Sequence, residues 1–208
     1  MRVVGPVVGP VLVALPAVLA AGPASAHLVG IEFGGFYAGA MHVATVPAGL
    51  ALMAGLAVIA AGQARENARW MLATLPLGLM LGALAGTSWD AAAALAPWLW
   101  PLSAAGIAIA GALAILSRPL PAVVLGALAG LFGLAMGIDN GLAAQGSDVP
   151  VWLYTAGVVA AGTVIGTLAV AALTAVLPAW PWKRLAGRVA GSWLAAIGLV
   201  SFGAALAT

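Results

Sequence analysis

The sequence lacks cysteine altogether and is poor in charge and in histidine. None of its 208 residues is cysteine, which excludes disulfide bonds, thiolate metal sites and cysteine nucleophiles within this chain. Only 6% of the residues are charged, seven basic and five acidic, so we expect no nucleic-acid partner. No nucleophile, base and orienting acid form a recognisable arrangement, and no phosphate-binding loop is present. The sequence therefore does not predict an enzyme.

Hydrophobic residues are what the sequence has in excess. They make up 64% of the chain, and the mean hydropathy is +1.18. A soluble core does not require that much apolar surface, whereas a lipid bilayer does. The alternating pattern of barrel strands is missing, and 28 glycines suit close helix packing in lipid. The sequence predicts an all-α fold, a polytopic transmembrane helix bundle in contact with the lipid bilayer.

Residues 1–26 have the features of a secretory signal peptide. Arg2 supplies the positive charge, an apolar stretch follows, and Ala24-Ser25-Ala26 is a small-x-small cleavage site. Cleavage there would leave His27 at the N-terminus, where its amino group and imidazole together chelate a metal. The alternative is an uncleaved first helix. Residues 27–208 are predicted to form a single transmembrane helical domain.

Six apolar segments follow, which gives six spans after the signal peptide or seven if it is retained. Each approaches or exceeds the length needed for a hydrocarbon core of roughly 30 Å. The first is predicted to be a single crossing, either one long helix or two pieces broken near Pro47 and Gly49, and a kinked or partly re-entrant form is left open. The connections at residues 63–69 and 178–188 are polar and are expected to be loops. The predicted spans are residues 34–62, 70–86, 99–117, 120–143, 151–177 and 189–207.

The charges of the connections predict an orientation. When the spans alternate and the mature N-terminus lies outside, every basic residue of a short loop falls on the inner side. The basic residues concerned are Arg65, Arg69, Arg118, Lys183, Arg184 and Arg188. The acidic residues Glu32, Asp90, Asp139 and Asp148 fall on the outer side. We therefore expect a bacterial inner membrane protein with cytoplasmic basic loops.

A small set of ionisable residues on the predicted outer side is a candidate metal site. His42 lies roughly 12 Å into the first span at helical rise, and Asp139 lies near the outer end of a later span. Polar side chains at membrane depth are costly, and by default they mark a functional site. The predicted ligands are His27, Glu32, His42 and Asp139. Nitrogen and oxygen ligands without thiolate suit a divalent nickel, cobalt, zinc or copper ion.

Each of these residues also has a structural interpretation. His42 can hydrogen-bond a helix backbone or Thr45 inside the bundle. Asp139 can cap a broken helix end. Asn140 is interpreted as turn chemistry with Gly141, and the connecting-loop acids are interpreted as solvated.

Three stretches resemble the HupE/UreJ family, nickel-related permeases found with hydrogenases and ureases. Residues 36–42 read FYAGAMH and residues 50–58 read LALMAGLAV, similar to that family's first span, in which glycine, small residues and a histidine precede an apolar run. Residues 136–141 read MGIDNG and are similar to its second motif, which is His-Gly-His-Ala-His-Gly-like. The resemblance implies a signal peptide, six spans and handling of nickel.

The chain departs from the family's pattern at its motif histidines. The first motif is histidine, five residues, then Asp-His, and here His42 is followed by Ala48 and Gly49 at the Asp-His positions. The second motif's histidines are replaced by Met136, Ile138 and Asn140. Two functional hypotheses therefore stand. The first is a nickel-like permease or binding protein that takes a divalent metal ion from the outer face. The second is a non-transporting structural or accessory subunit that packs against other membrane subunits.

Overall fold

The computed structural model describes residues 34–176 and 182–207. These residues form seven α-helices and one 3-10 helix, and no strand occurs among them. The predicted signal peptide, His27 and Glu32 lie outside the described residues. The helices are α1 (Gly35–Thr45), α2 (Pro47–Ala61), α3 (Arg65–Ser88), α4 (Ala96–Leu116), α5 (Ala122–Ala143), α6 (Val151–Val176) and α7 (Lys183–Leu206), with the 3-10 helix Asp90–Leu95 before α4.

The helices are long and apolar enough to confirm a polytopic transmembrane bundle. Five of the described helices meet the length and hydropathy of a membrane span, from α3 to α7. The short pair α1 and α2 meets them only together, as one span bent by 69°. Counting that pair as one crossing gives the six spans that the hydrophobic segments predict.

The first span is broken at Val46, beside Pro47, which is the second of the two forms that the sequence leaves open. Val46 takes an extended conformation, with φ −83° and ψ 108°, between α1 and α2. Pro47 opens α2, and its ring nitrogen carries no hydrogen to donate to the carbonyl of Val43 one turn earlier. The bend is therefore a direct consequence of the proline.

The two predicted loops at residues 63–69 and 178–188 extend too far toward the C-terminus, because the helices that follow them start earlier than the apolar segments do. Arg65, Glu66 and Arg69 lie in the first turns of α3 rather than in a loop. Lys183 and Arg188 likewise lie in the first turns of α7. Arginine, lysine and glutamate are good helix formers, and their long stems can carry the charge back to water from a helix end. The end of an apolar segment is therefore not the end of the helix.

Glycine brings the helices into backbone contact. Helices α3 and α5 share the largest interface and run parallel, with glycines at four-residue spacing on both. Gly82 faces the backbone of Leu134 and Ile138 so closely that no Cβ atom fits. A Cβ atom at Gly133 would lie 2.6 Å from the carbonyl oxygen of Leu75. Such close approach is typical of helix pairs in membranes.

The connections gather at two opposite ends of the bundle. Gln63, after α2, donates through Nε2 to the carbonyl oxygen of Arg118 (3.2 Å) and accepts from the backbone N–H of Leu120 (2.8 Å). At the other end, Gln145 donates to the carbonyl oxygen of Gly86 (2.7 Å). We call the first the basic end, since it carries Arg65, Arg69, Arg118, Lys183, Arg184 and Arg188. We call the second the acidic end, since Asp90, Asp139 and Asp148 lie at or near it.

Candidate functional site

The imidazole of His42 meets the buried amide of Asn140. His42 lies in the last turn of α1, just before the break, and Asn140 lies near the end of α5. The Nδ1 atom of His42 is 2.9 Å from Oδ1 of Asn140. Asn140 is only 2% exposed, whereas His42 is half-buried. One ring nitrogen is therefore held inside the bundle while part of the ring remains accessible.

The hydrogen bonds of Asn140 determine which nitrogen of His42 carries the proton. The amide Nδ2 of Asn140 donates to the carbonyl oxygen of Met136 at 2.7 Å. Since that carbonyl can only accept, the atom turned toward His42 must be the amide oxygen, which also can only accept. Nδ1 of His42 is therefore the protonated donor. In the neutral ring Nε2 keeps its lone pair, as in metal-binding histidines whose other nitrogen donates to an oxygen.

Helix α6 fixes the backbone of Asn140. The hydroxyl of Tyr154 donates to the carbonyl oxygen of Asn140 at 2.9 Å, and Tyr154 is 5% exposed. Gly39 of α1 lies against the backbone of Tyr154, and Gly157 lies against the carbonyl oxygen of Phe36. Because these glycines let α1 and α6 touch, three helices converge on the His42–Asn140 pair.

Asp139 places a carboxylate beside this pair. It is half-buried in α5 and lies within electrostatic range of His42 and Tyr154. No side chain or backbone group of the described residues forms a hydrogen bond to its carboxylate oxygens. Thr155, the residue after Tyr154, has a buried hydroxyl that is also without a partner in the described part of the chain. The carboxylate oxygens of Asp139 are therefore free to accept a proton or a cation.

The break itself leaves backbone oxygens without helical donors. The carbonyl of His42 accepts from the N–H of Val46 (3.1 Å) and from Oγ1 of Thr45 (3.3 Å). The carbonyl of Val43 has no such donor, because residue 47 is proline. Thr45 and Pro47 are exposed. Irregular backbone at membrane depth is tolerated only where protein buries it or water reaches it. The break between α1 and α2 must therefore be covered by protein or be in contact with water.

Four of the five positions that the resemblance assigns to motif histidines, 42, 49, 136 and 140, lie together. A Cβ atom at Gly49, in the first turn of α2, would lie 3.0 Å from Cε of Met136. The backbone carbonyl of Met136 accepts a hydrogen bond from the side-chain amide of Asn140, and the oxygen of that amide contacts His42. The two motifs, about ninety residues apart in the sequence, therefore form one locus. Substitution has left that locus with one imidazole, one thioether and one amide.

The predicted ligands have different outcomes. Of the four, His42 and Asp139 lie within electrostatic range of each other but form no ion pair, while His27 and Glu32 lie outside the described residues. Within residues 34–176 and 182–207, no three histidine, aspartate or glutamate side chains form a group that could hold a metal ion.

The interpretation of Asn140 as a turn residue is wrong, because it lies inside α5. Asn140 and Tyr154 are site residues that sequence reasoning missed. For Asn140, its place at a motif-histidine position was the available signal.

Comparison with known proteins gives a family match. The sequence model described as HupE / UreJ protein matches residues 15–201, which is most of the chain. The match includes both stretches that meet at His42 and Asn140. No curated protein and no solved structure matches the chain significantly.

Proposed function

The chain belongs to the HupE / UreJ protein family, a family of permease-like membrane accessory proteins associated with metal-ion handling, and on this premise we propose that it handles a divalent transition-metal ion. In this proposal it is a small nickel-like permease or binding protein. It takes the ion at the acidic end, and His42 and Asp139 make the first contacts with the ion inside the membrane.

The observation that carries the proposal is the state of His42 at the broken span. Its Nδ1 is occupied by Asn140 at 2.9 Å, so Nε2 is the atom available to the ion. The carbonyl end of α1 carries a partial negative charge beside it, which favours a cation. Transporters commonly bind ions at such interrupted helices, where unwound carbonyls contribute ligands.

The ligand set favours a borderline metal ion that remains partly hydrated. Imidazole and carboxylate suit nickel, cobalt, zinc and copper. Two side chains do not fill a coordination sphere, so water or backbone oxygens must complete it. His27 and Glu32 stay in the proposal as ligands that the preceding segment would bring to the same entrance. The free oxygens of Asp139 are consistent with this arrangement.

The distribution of charge supports an orientation for the protein. The six cations of the basic end suit the cytoplasmic side of a bacterial inner membrane, because basic connections are retained inside. The acidic end would then face outward, where carboxylates raise the local concentration of cations. Uptake would run from the acidic end to the basic end.

Uptake and binding by isosteric variants test the proposal. His42→Gln and Asp139→Asn should each lose saturable nickel or cobalt uptake in cells and weaken binding by the purified protein. Asp148→Asn is the matched control, because Asp148 is an exposed carboxylate in a connection of the same end. Unchanged uptake and binding in both site variants would reject metal handling by this site.

A second candidate is a non-transporting accessory subunit. The absence of a three-ligand group among the described residues favours it. So does α7, of which only 11% of the span is buried inside the bundle, leaving a long apolar face for lipid or another subunit. This candidate predicts reproducible co-purification with other membrane chains and no uptake defect on deletion. A protein that is stable alone and takes up metal would exclude it.

A further inference from the structure

A half-open cavity lies at the basic end, far from His42. Its volume is about 340 Å³, and it is enclosed by the ends of α2 and α4 and the first turns of α7. Apolar side chains such as Ile59 and Leu113 form its floor, and Gln63, Ser117 and Arg184 provide its polar groups. The cavity therefore combines an apolar interior with a polar rim at the level where the helices leave the membrane.

Arg184 is the polar group of this cavity that is free to bind a ligand. The amide of Gln63 is engaged at both atoms, by the carbonyl of Arg118 and the N–H of Leu120. The hydroxyl of Ser117 donates to the carbonyl of Ala114 at 2.8 Å. Arg184 is the only charged residue of the lining, and it forms no ion pair with the described residues. A ligand here would meet one guanidinium and no carboxylate.

We propose that this cavity binds an anionic phospholipid, with the lipid phosphate on Arg184 and the glycerol and upper acyl chain on the apolar floor. Guanidinium groups bind phosphate in bidentate fashion, and basic pockets between membrane helices take anionic headgroups. This site is separate from the metal site, and it does not depend on the proposed function.

Gly187 offers a way to close the cavity without disturbing the helices. It lines the cavity, and a Cβ atom built there meets nothing within 4 Å. A leucine at this position would fill the space with its side chain. It would also raise the helix propensity of α7, because leucine forms helices more readily than glycine does. Gly187→Leu should therefore fold at least as well as the wild-type protein and still lose the lipid.

The test is a lipid titration of the purified full chain in detergent, followed by native mass spectrometry. Phosphatidylglycerol should bind more tightly than phosphatidylcholine, and Arg184→Gln and Gly187→Leu should weaken it roughly five- to tenfold. Arg188→Gln is the charge-matched control, because Arg188 also lies in the first turns of α7 but does not line the cavity. It should change the affinity by less than about twofold.

Three results would overturn the proposal. Equal binding of the two lipids would remove the role of the anionic headgroup. An equal loss in Arg184→Gln and Arg188→Gln would reduce the effect to general surface charge. If inorganic phosphate alone stabilised the protein through Arg184, and phosphatidylglycerol added nothing, the cavity would be a site for a soluble anion.

Discussion

At the scale of single residues, the groups that surround His42, the proposed ligand, are suited to orienting it rather than to binding a metal ion themselves. Asn140 occupies a motif-histidine position, yet it is 2% exposed and binds His42 rather than facing an open space. Tyr154 holds the carbonyl of the same residue. Groups that orient a ligand are valuable because they fix both the tautomer and the direction of the ring. The loss of motif histidines therefore does not leave His42 unsupported.

Asn140→Ala should weaken metal binding by about 10- to 100-fold, the usual effect of losing a group that orients a ligand. The substitution leaves Nδ1–H of His42 without an acceptor and frees the ring to rotate or change tautomer. Calorimetric titration of the purified variant with nickel or cobalt measures the effect. Gln145→Ala is the control, because it removes another amide near the acidic end, bonded to Gly86 at 2.7 Å, without touching His42. Equal losses in both variants would show that Asn140 acts only on stability.

The sequence singles out some residues of this candidate site and not others, for a physical reason. His42 and Asp139 were predicted because ionisable groups at membrane depth are costly. Asn140 was assigned to a turn because Asn-Gly is a strong turn signal in water. In lipid the backbone must satisfy its hydrogen bonds internally, so α5 continues through Asn140 and Gly141 to Ala143. The lipid environment therefore overrides the local turn propensity of the Asn-Gly pair.

At the scale of helices, the broken first span determines where the imidazole lies. Pro47 ends the helical bonding of α1, and the 69° bend turns α2 away. The last turn of α1, with His42, is thereby left as a helix terminus inside the membrane. A continuous helix would have used its carbonyls internally and offered no polar surface.

We expect water to reach the break between α1 and α2. Because the chain has no cysteine, a single introduced cysteine is the only thiol that a reagent can label. Thr45→Cys, at the exposed end of α1, should react with a water-soluble thiol reagent at least about tenfold faster than Leu131→Cys does. The reason is that the reactive thiolate forms in water and not in lipid. Leu131 is 62% exposed in α5 and serves as the lipid-facing control. Equal rates at the two positions would mean that lipid, not water, covers the break.

The interface of α3 and α5 gives a matched pair of glycine substitutions. Gly133→Ala should destabilise the protein by about 1–3 kcal/mol through overpacking, because its Cβ atom would lie 2.6 Å from the carbonyl oxygen of Leu75. Gly130→Ala, one turn earlier on α5, should be neutral or stabilising by up to about 1 kcal/mol. Its new Cβ atom would lie 3.7 Å from its nearest neighbour, Cβ of Thr74, which is an ordinary van der Waals contact. Unfolding in mixed micelles compares them. Similar stabilities would contradict the close approach of these helices.

At the scale of the whole molecule, the number of spans followed from hydropathy but the helix pairing did not. Hydrophobic length predicts a crossing because the bilayer fixes it. It contains no information on which helices touch, and α3 pairs with α5 rather than with its sequence neighbour α4. Glycines at four-residue spacing were present on both helices. With 28 glycines in the chain, that spacing did not single out one pair.

The separation of charge between the two ends predicts which end faces the cytoplasm. Ser147→Cys lies in the exposed α5–α6 connection of the acidic end, and Ala64→Cys lies in the exposed α2–α3 connection of the basic end. A membrane-impermeant thiol reagent should label the first in cells with a permeabilised outer membrane. It should label the second only after the inner membrane is opened, because basic connections stay inside. The reverse pattern would place the cations outside and His42 toward the cytoplasm. Uptake from the acidic end would then become export, although the His42–Asn140 pair and the lipid cavity would be unchanged.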